Sequence, residues 1–305
     1  MEIILVCQKE EFDEKHIHEL EKFASVKWIS ADTVDLEKIP ELFTSGEKII
    51  ALSPVPIGWN FPKIYSRLRN IRYLCLPTTS YEFLDIDMCR SSSIKVTNVP
   101  HYSTEAVANQ AIFMMLGLMK RLPEQIKSNF LYSLNKKVMG DDILGKRAGI
   151  IGLGDIGLRL AHILSGMGMK VSYWSKHKKE VPYKYEKLES IIEQSDILFP
   201  TLISNKPTVG LLNKYVLEKI QLSAYVIGLI DSKVWDQKYL IERIKKGTLQ
   251  GLAFESEIQN IHQFEGNILV LPPFAWYSKQ SLENNIAIWT HTIISCLKDK
   301  PQNLV

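Results

Sequence analysis

The stretch DDILGKRAGIIGLGDIGLRLAHILSGMGMKVSYWSKHKK, residues 141–179, carries the strongest structural signal in the chain. Its apolar segment AGII predicts a buried strand, and the glycine pattern G-x-G-x-x-G follows at once and opens a predicted helix. In this context Gly152 permits a tight turn, Gly154 lets the backbone approach a pyrophosphate, and Gly157 lets the helix pack against the strand. The N–H groups at the start of the helix attract phosphate. The stretch therefore predicts a dinucleotide-binding turn.

The end of the next predicted strand indicates which dinucleotide fits. The strand KVSYW is followed by Ser175, Lys176 and two further lysines after His177. A site for NAD usually has an Asp or Glu here to hold the ribose hydroxyls, and this strand end has neither. A serine followed by cations leaves room for a 2′-phosphate and attracts it. We predict NADP as the preferred cofactor and NAD as the alternative, unless the lysines only form a solvated loop.

Short apolar segments alternate with segments that favour helices along both halves of the chain. In the first half, predicted strands begin at Ile3, Lys48, Ile71 and Ile94. In the second half, SDILFPTL, AYVIGLID, GLAFES and NILVLPP follow the glycine turn. Strands that alternate with helices predict parallel sheets. We therefore predict an α/β fold with two doubly wound parallel-sheet domains.

A long apolar segment lies between the two halves. The sequence STEAVANQAIFMMLGLMKRL, residues 103–122, predicts a helix that begins near Ser103 and is limited by Pro123. Polar and charged residues at both ends leave an apolar part too short to span a membrane. We predict that this helix is buried between domains or in a dimer interface.

Composition excludes several classes of function. The chain has 305 residues, of which 46% are hydrophobic and 23% charged, and its net charge of +3 favours neither nucleic acid nor an anionic membrane. Its cysteines, Cys7, Cys75, Cys89 and Cys296, are far apart and show no ligand spacing, so we expect no disulfide and no metal site. We also see no signal peptide. We expect a cytoplasmic homodimer that acts on a small molecule.

Together these segments resemble the D-isomer-specific 2-hydroxyacid dehydrogenase family. The resemblance rests on LDIDMCRSSSIKVTNVP, STEAVANQA, LGKRAGIIGLGDIG, TVGLLN, VWDQKYLIERIKKGTLQGLAFE and NILVLPPFAWYS, in this order over nearly the whole chain. It implies a flavodoxin-like substrate domain of residues 1–98 and 278–305, and a Rossmann NAD(P)-binding domain of residues 99–277. It also implies hydride transfer between a nicotinamide and a 2-oxo or 2-hydroxy acid, with an arginine on the carboxylate and a histidine, oriented by a glutamate, for the proton.

The glycine turn and the resemblance together indicate the residues that contact ligands. The expected cofactor contacts are Gly152, Gly154, Asp155, Ile156, Gly157, Ser175, Lys176, Thr201, Thr208 and Glu255. Among them, Glu255 stands where the family usually has an aspartate near the nicotinamide carboxamide. The expected substrate contacts are Thr79, Ser80 and His101. Of these, Ser80 replaces a glycine that is usual in the family.

The three catalytic positions of the family hold other residues in this chain. Counted without gaps, the arginine falls on Asp231, the glutamate on Asn260 and the histidine on Pro273. A one-residue slip would bring Phe274 to the histidine position, and Glu257 could take the place of the glutamate. Neither proline nor phenylalanine exchanges a proton. Ordinary 2-hydroxyacid chemistry is therefore not expected.

Two functions remain open. An aspartate at position 231 would repel a substrate carboxylate, although Lys233 two residues further on could offset its charge. The first hypothesis is an NAD(P)-dependent oxidoreductase for another carbonyl or hydroxy compound, with His101 as the first candidate proton donor and Tyr102 and Tyr277 after it. The alternative is a non-catalytic dinucleotide-binding protein on the same scaffold.

Overall fold

The computed structural model describes residues 1–8, 11–132 and 134–305. The chain divides into two compact units, Met1–Ser103 with Ser278–Val305, and Thr104–Tyr277. The first segment of the predicted substrate domain ends at residue 98, whereas the first compact unit continues to Ser103.

The helices and strands are numbered in chain order. The first unit begins with β1 (Glu2–Cys7), α1 (Glu14–Glu21), β2 (Ser25–Ser30), β3 (Lys48–Leu52), β4 (Ile71–Cys75), α2 (Ile86–Ser91) and β5 (Lys95–Thr97). The second unit contains α3 (Thr104–Met119), α4 (Leu122–Lys127), β6 (Arg147–Ile151), α5 (Asp155–Gly166), β7 (Lys170–Trp174), β8 (Lys184–Tyr185), α6 (Leu188–Gln194), β9 (Ile197–Pro200), α7 (Lys214–Leu217), β10 (Tyr225–Gly228), α8 (Gln237–Lys245), β11 (Gly251–Glu255) and β12 (Ile268–Leu271). The chain then returns to the first unit with α9 (Lys279–Leu297).

The sheet of the first unit has the strand order β2-β1-β3-β4-β5, and its paired strands are parallel. This is the flavodoxin-like order. Side chains alternate between the two faces of β1: Ile3 and Leu5 pack in the cluster that contains Trp289 of α9, and Ile4 packs in the cluster on the other face. Both faces are therefore buried, as a parallel sheet requires.

The sheet of the second unit has the order β12-β11-β10-β9-β6-β7-β8, and all its pairings are parallel. In this order the first strand of the dinucleotide motif, β6, pairs with β7 on one side and with β9 on the other. The direction of winding reverses between β6 and β9, which makes this the topological switch point of a Rossmann fold. The predicted fold class, with one flavodoxin-like and one Rossmann sheet, is confirmed.

Helix α3 buries one side against the sheet of the second unit. Met114 and Met115 are fully buried in its core, together with Leu160 of α5, whereas Phe113 is 50% exposed. The helix ends at Met119, and Pro123 lies near the start of α4. Proline is favoured in the first turn of a helix, so it begins a new helix here.

Candidate functional site

The glycine turn follows β6 at the switch point of the sheet. Gly152 has a φ of +100°, which side chains rarely tolerate. Its N–H donates to the carbonyl of Trp174 at 2.8 Å, and Thr201 Oγ1 donates to its carbonyl. A Cβ at this position would lie 2.8 Å from Leu202 Cδ2. The backbone conformation therefore requires glycine at Gly152, whereas the contact with Leu202 involves only the end of a flexible side chain.

The other two glycines of the motif have different surroundings. A Cβ at Gly157 would lie 2.2 Å from the Gly152 carbonyl oxygen and 2.9 Å from Thr201 Oγ1, so glycine lets α5 approach the turn. A Cβ at Gly154 would meet no described atom within 4 Å. Gly154 is the N-cap of α5 and has no side chain with which to cap this helix. The turn presents bare backbone at a helix N-terminus, an arrangement that fits a pyrophosphate.

A small cavity of about 140 Å³ lies beside the turn. It lies between α3, α5 and the segments after β9 and β10, and its lining includes Val107, Ile156, Thr201, Leu202, Ile203 and Ile230. Two of the expected cofactor contacts, Ile156 and Thr201, thus share this cavity. Its apolar walls suit a flat ring such as a nicotinamide.

The segment after β7 contains the basic residues expected near the ribose. Ser175 is buried, and its hydroxyl donates to the carbonyl of His177 at 2.5 Å. Lys176 is exposed. The salt bridges formed by neighbouring parts of the described chain, Arg159–Glu105 and Lys184–Glu186, do not involve it. Among the described residues, Lys176 is therefore a cation without a salt-bridge partner, beside the strand end where an NAD site would have an acid.

The hydroxyl of Thr208 is used within its own turn. It accepts a hydrogen bond from the N–H of Asn205 at 2.9 Å and donates to the carbonyl of Ile203 at 2.5 Å. This turn follows β9, as does Thr201. The structure thus gives Thr208 a local structural role.

Glu255 is the last residue of β11 and is partly buried. Its Oε1 accepts a hydrogen bond from the N–H of Ala275 at 2.9 Å, and Gln110 Nε2 donates to the same atom at 3.4 Å. Burial raises the pKa of this carboxyl above its ordinary value, while these hydrogen bonds oppose the change. The carboxyl is held in one orientation from two sides.

A larger cavity, of about 720 Å³, lies at the carboxyl ends of β10 and β11. Its lining includes the carboxylates of Asp231, Asp236 and Glu255, together with Lys238 and the indole of Trp235. Within the described residues, the salt bridges involve none of these three carboxylates. With three acidic residues and one lysine in its lining, the cavity is acidic on balance.

The aspartate at the family's arginine position has a local structural role. Asp231 Oδ1 accepts a hydrogen bond from the N–H of Lys233 at 2.7 Å, and its carbonyl accepts one from Val234 at 3.0 Å. Short polar side chains form such turns, which an arginine side chain cannot. Lys238, rather than Lys233, lines the cavity.

The residues at the other two catalytic positions also lack the family's chemistry. Asn260 caps the short turn Ile261–Gln263: its side chain accepts an N–H of the turn at 3.0 Å, and its own N–H donates to Gln263 Oε1 at 3.0 Å. Pro273 lines the larger cavity, and Phe274 is 59% exposed. Neither Pro273 nor Phe274 has a side chain that can transfer a proton.

In the first unit, the expected substrate contacts meet at one edge of the sheet. Thr79 and Ser80 follow β4, and His101 follows the adjacent parallel strand β5. Thr79 Oγ1 donates to the carbonyl of Val99 at 3.0 Å, which ties the two segments together. His101 is exposed and has a φ of +65°. A left-handed residue other than glycine is uncommon and is often found at functional sites.

Three residues that line the larger cavity or contact Glu255 were not predicted from the sequence. Gln110 holds Glu255 from α3, and its only signal is a polar residue in an apolar helix. Asp236 is the N-cap of α8, where its side chain accepts from the N–H of Tyr239 at 3.0 Å. Lys238 lies in the first turn of the same helix. An N-cap is readable from sequence, but its place beside a cavity depends on the sheet.

The described residues show neither a metal-ligand cluster nor a membrane-spanning helix. They contain no group of three or more His, Cys, Asp or Glu side chains that could hold a metal ion. None of their helices is long and apolar enough to cross a membrane.

Comparison with known proteins identifies relatives of this chain. The D-isomer-specific 2-hydroxyacid dehydrogenase NAD-binding domain matches residues 112–269. A glyoxylate/hydroxypyruvate reductase of Arabidopsis thaliana is 25% identical over 284 residues, which cover 88% of this chain and 87% of that protein. A glyoxylate reductase of Pyrococcus furiosus is 24% identical over 270 residues, with 83% of this chain and 80% of that protein covered.

Solved structures share the fold. An acyclic imino acid reductase in complex with NADPH and D-Arg has a TM-score of 0.86 and 22% identity, with both chains covered completely. The D-lactate dehydrogenase of Lactobacillus jensenii, solved with NAD⁺, has a TM-score of 0.81 and 21% identity over 100% of this chain and 99% of the other.

The region matched by the family spans more than half of the chain and lies within the unit that contains the glycine turn. The family resemblance seen in the sequence is confirmed. The chain therefore belongs to the D-isomer-specific 2-hydroxyacid dehydrogenase family and is an oxidoreductase that uses a nicotinamide dinucleotide.

Proposed function

We propose that this enzyme prefers NADP and transfers hydride between the nicotinamide and a small carbonyl or hydroxy compound that carries no carboxylate beside the reacting carbon. The observation that carries the substrate part is the acidic cavity lined by Asp231, Asp236 and Glu255. At a few ångströms and reduced dielectric, two like charges repel by an amount on the order of a few kcal/mol. Such a site disfavours a 2-oxo acid and tolerates a neutral or cationic compound.

The cofactor would be held by the expected contacts of the second unit. The bare turn from Gly152 to Gly157 would receive the pyrophosphate, and Thr201 would line the nicotinamide side. Glu255 would accept a hydrogen bond from the carboxamide. When bound, the nicotinamide supplies or accepts the hydride. Thr208 remains in the proposed set, although its hydroxyl already serves its own turn.

Ser175 and Lys176 would distinguish the two cofactors. The hydroxyl hydrogen of Ser175 is already donated to the carbonyl of His177, so the serine cannot donate it to a 2′-phosphate as well. The unpaired Lys176 is then the proposed source of positive charge for that phosphate. The lone pairs of the serine oxygen could still accept from a ribose hydroxyl, which keeps NAD as the alternative.

His101 is the proposed proton donor, with Thr79 and Ser80 as substrate contacts. A carbonyl that gains hydride also needs a proton, and histidine is the side chain that most often provides one in enzymes. The positive φ and exposure of His101, at the carboxyl edge of a parallel sheet, support this role. Ligands of open α/β sheets bind at such edges.

The roles of the two domains are also proposals. Residues 1–98 with 278–305 would bind the substrate, and residues 99–277 would bind the cofactor. A homodimer formed through α3 is supported by apolar side chains exposed on the second unit: Phe113, Leu116, Phe130, Leu131, Tyr132, Leu134, Met139 and Leu144. Apolar side chains that are exposed together mark interfaces, and six of these eight lie within residues 130–144. A cytoplasmic location is supported by four cysteines that are buried as free thiols.

The experiment that tests the substrate proposal compares two aldehydes with the same carbon number. Glycolaldehyde carries a hydroxymethyl group where glyoxylate carries a carboxylate. We expect the NADPH-loaded enzyme to reduce glycolaldehyde with a kcat/KM at least about tenfold higher, the ratio that a difference of about 1.4 kcal/mol produces. A preference for glyoxylate would contradict the proposal.

A further inference from the structure

The hydroxyl of Tyr173 closes the basic loop that follows β7. Tyr173 is fully buried. Its hydroxyl accepts a hydrogen bond from the N–H of Lys179 at 2.8 Å and donates one to the carbonyl of the same residue at 3.0 Å. One side chain thus satisfies both backbone groups of Lys179 and fixes the distance between the strand and the far end of the loop.

The loop between these two anchor points is also held from within. The Ser175 hydroxyl donates to the carbonyl of His177 at 2.5 Å, and the N–H of Val181 donates to the carbonyl of Lys179 at 3.1 Å. The backbone of residues 175–179 is therefore a closed turn with a defined shape.

Three lysines project from this closed turn, at positions 176, 178 and 179, and all three are exposed. None of them takes part in the salt bridges of the described residues. The acidic residue nearest in sequence is Glu180, which is also exposed. Flexible lysines on a mobile loop would bind an anion weakly because the loop itself would lose conformational freedom. On a fixed loop, that cost is already met by folding.

We propose that Tyr173 is a positioning residue for cofactor specificity: its hydroxyl holds the 175–179 loop in the shape that directs the lysines to the 2′-phosphate of NADP. This inference rests on the proposed preference for NADP. Tyr173 does not touch the cofactor in this proposal. Its effect is transmitted through the backbone of Lys179.

The chain offers a matched control for the hydroxyl. Tyr185 of β8 packs edge-on against Tyr173, with ring centroids 5.5 Å apart. Tyr173→Phe removes the two hydrogen bonds to Lys179 and keeps the packed ring. Tyr185→Phe removes a hydroxyl from the other ring of the pair and leaves the loop hydrogen bonds in place.

The test measures dissociation constants of NADPH and NADH for the wild-type protein, Tyr173→Phe and Tyr185→Phe. We expect Tyr173→Phe to weaken NADPH binding about fivefold, equivalent to about 1 kcal/mol, and to leave NADH binding unchanged within about twofold. The affinity of Tyr173→Phe for 2′,5′-ADP, measured by competition with NADPH, should fall by the same factor. Its affinity for 5′-AMP should not change. Tyr185→Phe should retain the wild-type ratio.

A second measurement reports on the loop directly. Amide hydrogen exchange at Lys179 should accelerate in Tyr173→Phe, because its N–H loses its acceptor, while exchange in β6 stays slow. Equal loss of NADPH and NADH binding would indicate a general structural role and would overturn the inference. An unchanged preference in a variant with accelerated exchange would also overturn it.

The same measurements distinguish failure of the proposed NADP preference from failure of the positioning role of Tyr173. If the wild-type protein binds NADH as tightly as NADPH, the proposed cofactor preference is wrong, and the positioning role falls with it. If the wild type prefers NADPH and Tyr173→Phe keeps that preference in full, only the positioning role is wrong.

Discussion

The two cavities of the second unit lie at the same edge of one sheet and differ in what determines their residues. The smaller one, beside Gly152, is apolar, and contacts of less than 3 Å to a hypothetical Cβ exclude larger residues from its turn. The larger one is lined by carboxylates, and its residue at the family's arginine position, Asp231, is exposed. Both belong to the same parallel fold.

The difference shows which part of an active site the fold itself preserves. A larger residue at Gly157 would collide with backbone, so folding alone maintains the glycine. An exposed turn at position 231 accepts an aspartate without cost to the fold, and indeed uses it to hold the Lys233 N–H. The fold therefore preserves the glycine turn that is expected to bind the cofactor, whereas it places no such constraint on position 231.

The largest expected effect tests whether the fold requires glycine in the turn beside the smaller cavity. Gly157→Ala places a Cβ 2.2 Å from the Gly152 carbonyl oxygen and should lower the free energy of unfolding by about 3 kcal/mol, with loss of cofactor binding. Gly166→Ala, in the last turn of the same helix, meets no described atom within 4 Å and should be neutral or stabilising by up to about 1 kcal/mol. Denaturant unfolding measures both variants, and equal stability for the two would contradict the steric account.

A smaller but still large effect is expected on the proton donor. His101→Ala should lower kcat on an accepted carbonyl by about 100-fold and leave NADPH affinity unchanged, because the imidazole is proposed to act only on the reacting oxygen. His18→Ala, on the exposed side of α1 in the same unit, is the matched control. Full turnover in His101→Ala would remove histidine from the proposal and turn attention to Tyr102 and Tyr277.

Reversing the charge of Asp231 tests whether the larger cavity excludes substrates that carry a carboxylate. Asp231→Arg should tighten glyoxylate binding to the NADPH-loaded protein by about tenfold, and Asp231→Asn by about threefold, because repulsion is removed in both and attraction added in one. The asparagine variant keeps an oxygen for the Lys233 N–H, so its turn should remain intact. If neither variant binds glyoxylate more tightly by calorimetry, the charge does not exclude carboxylates.

The smallest effect concerns Glu255, which ends β11 and lines the larger cavity. Burial raises the pKa of its carboxyl in the folded protein, so ionisation of the group opposes folding. The penalty is absent below the ordinary pKa of a glutamate and complete above the raised folded value. Glu255→Gln should therefore stabilise the protein at neutral pH by about 1 kcal/mol or less, and the gain should disappear in acid. A constant difference across pH would contradict the assignment.

The fold could be predicted from sequence because buried parallel strands are continuous apolar runs bounded by glycine and proline. The two strands that were missed explain the limit. The edge strand β2, SVKWIS, is only partly buried, and β8 has two residues, so neither carries an apolar run.

The candidate site was predictable only where backbone geometry requires a residue type. The glycine turn and the family could be identified from sequence because the backbone conformation at Gly152 and the space at Gly157 require glycine. The acidic cavity could not, because Asp231 and Asp236 follow β10 while Glu255 ends β11, and only the sheet brings these two segments to one edge. The role of Tyr173 could not be predicted either, because the partners of its hydroxyl depend on how the following loop folds back.

The central claim is that cofactor binding has persisted with a preference for NADP while substrate recognition has changed. An equilibrium titration of the purified protein with NADPH and then NADH, followed by quenching of tryptophan fluorescence, tests it most directly. The account predicts micromolar binding of NADPH, about −8 kcal/mol, tighter than binding of NADH and unaltered by Asp231→Arg. Tighter binding of NADH would contradict the preference, and no binding of either dinucleotide would contradict the account as a whole.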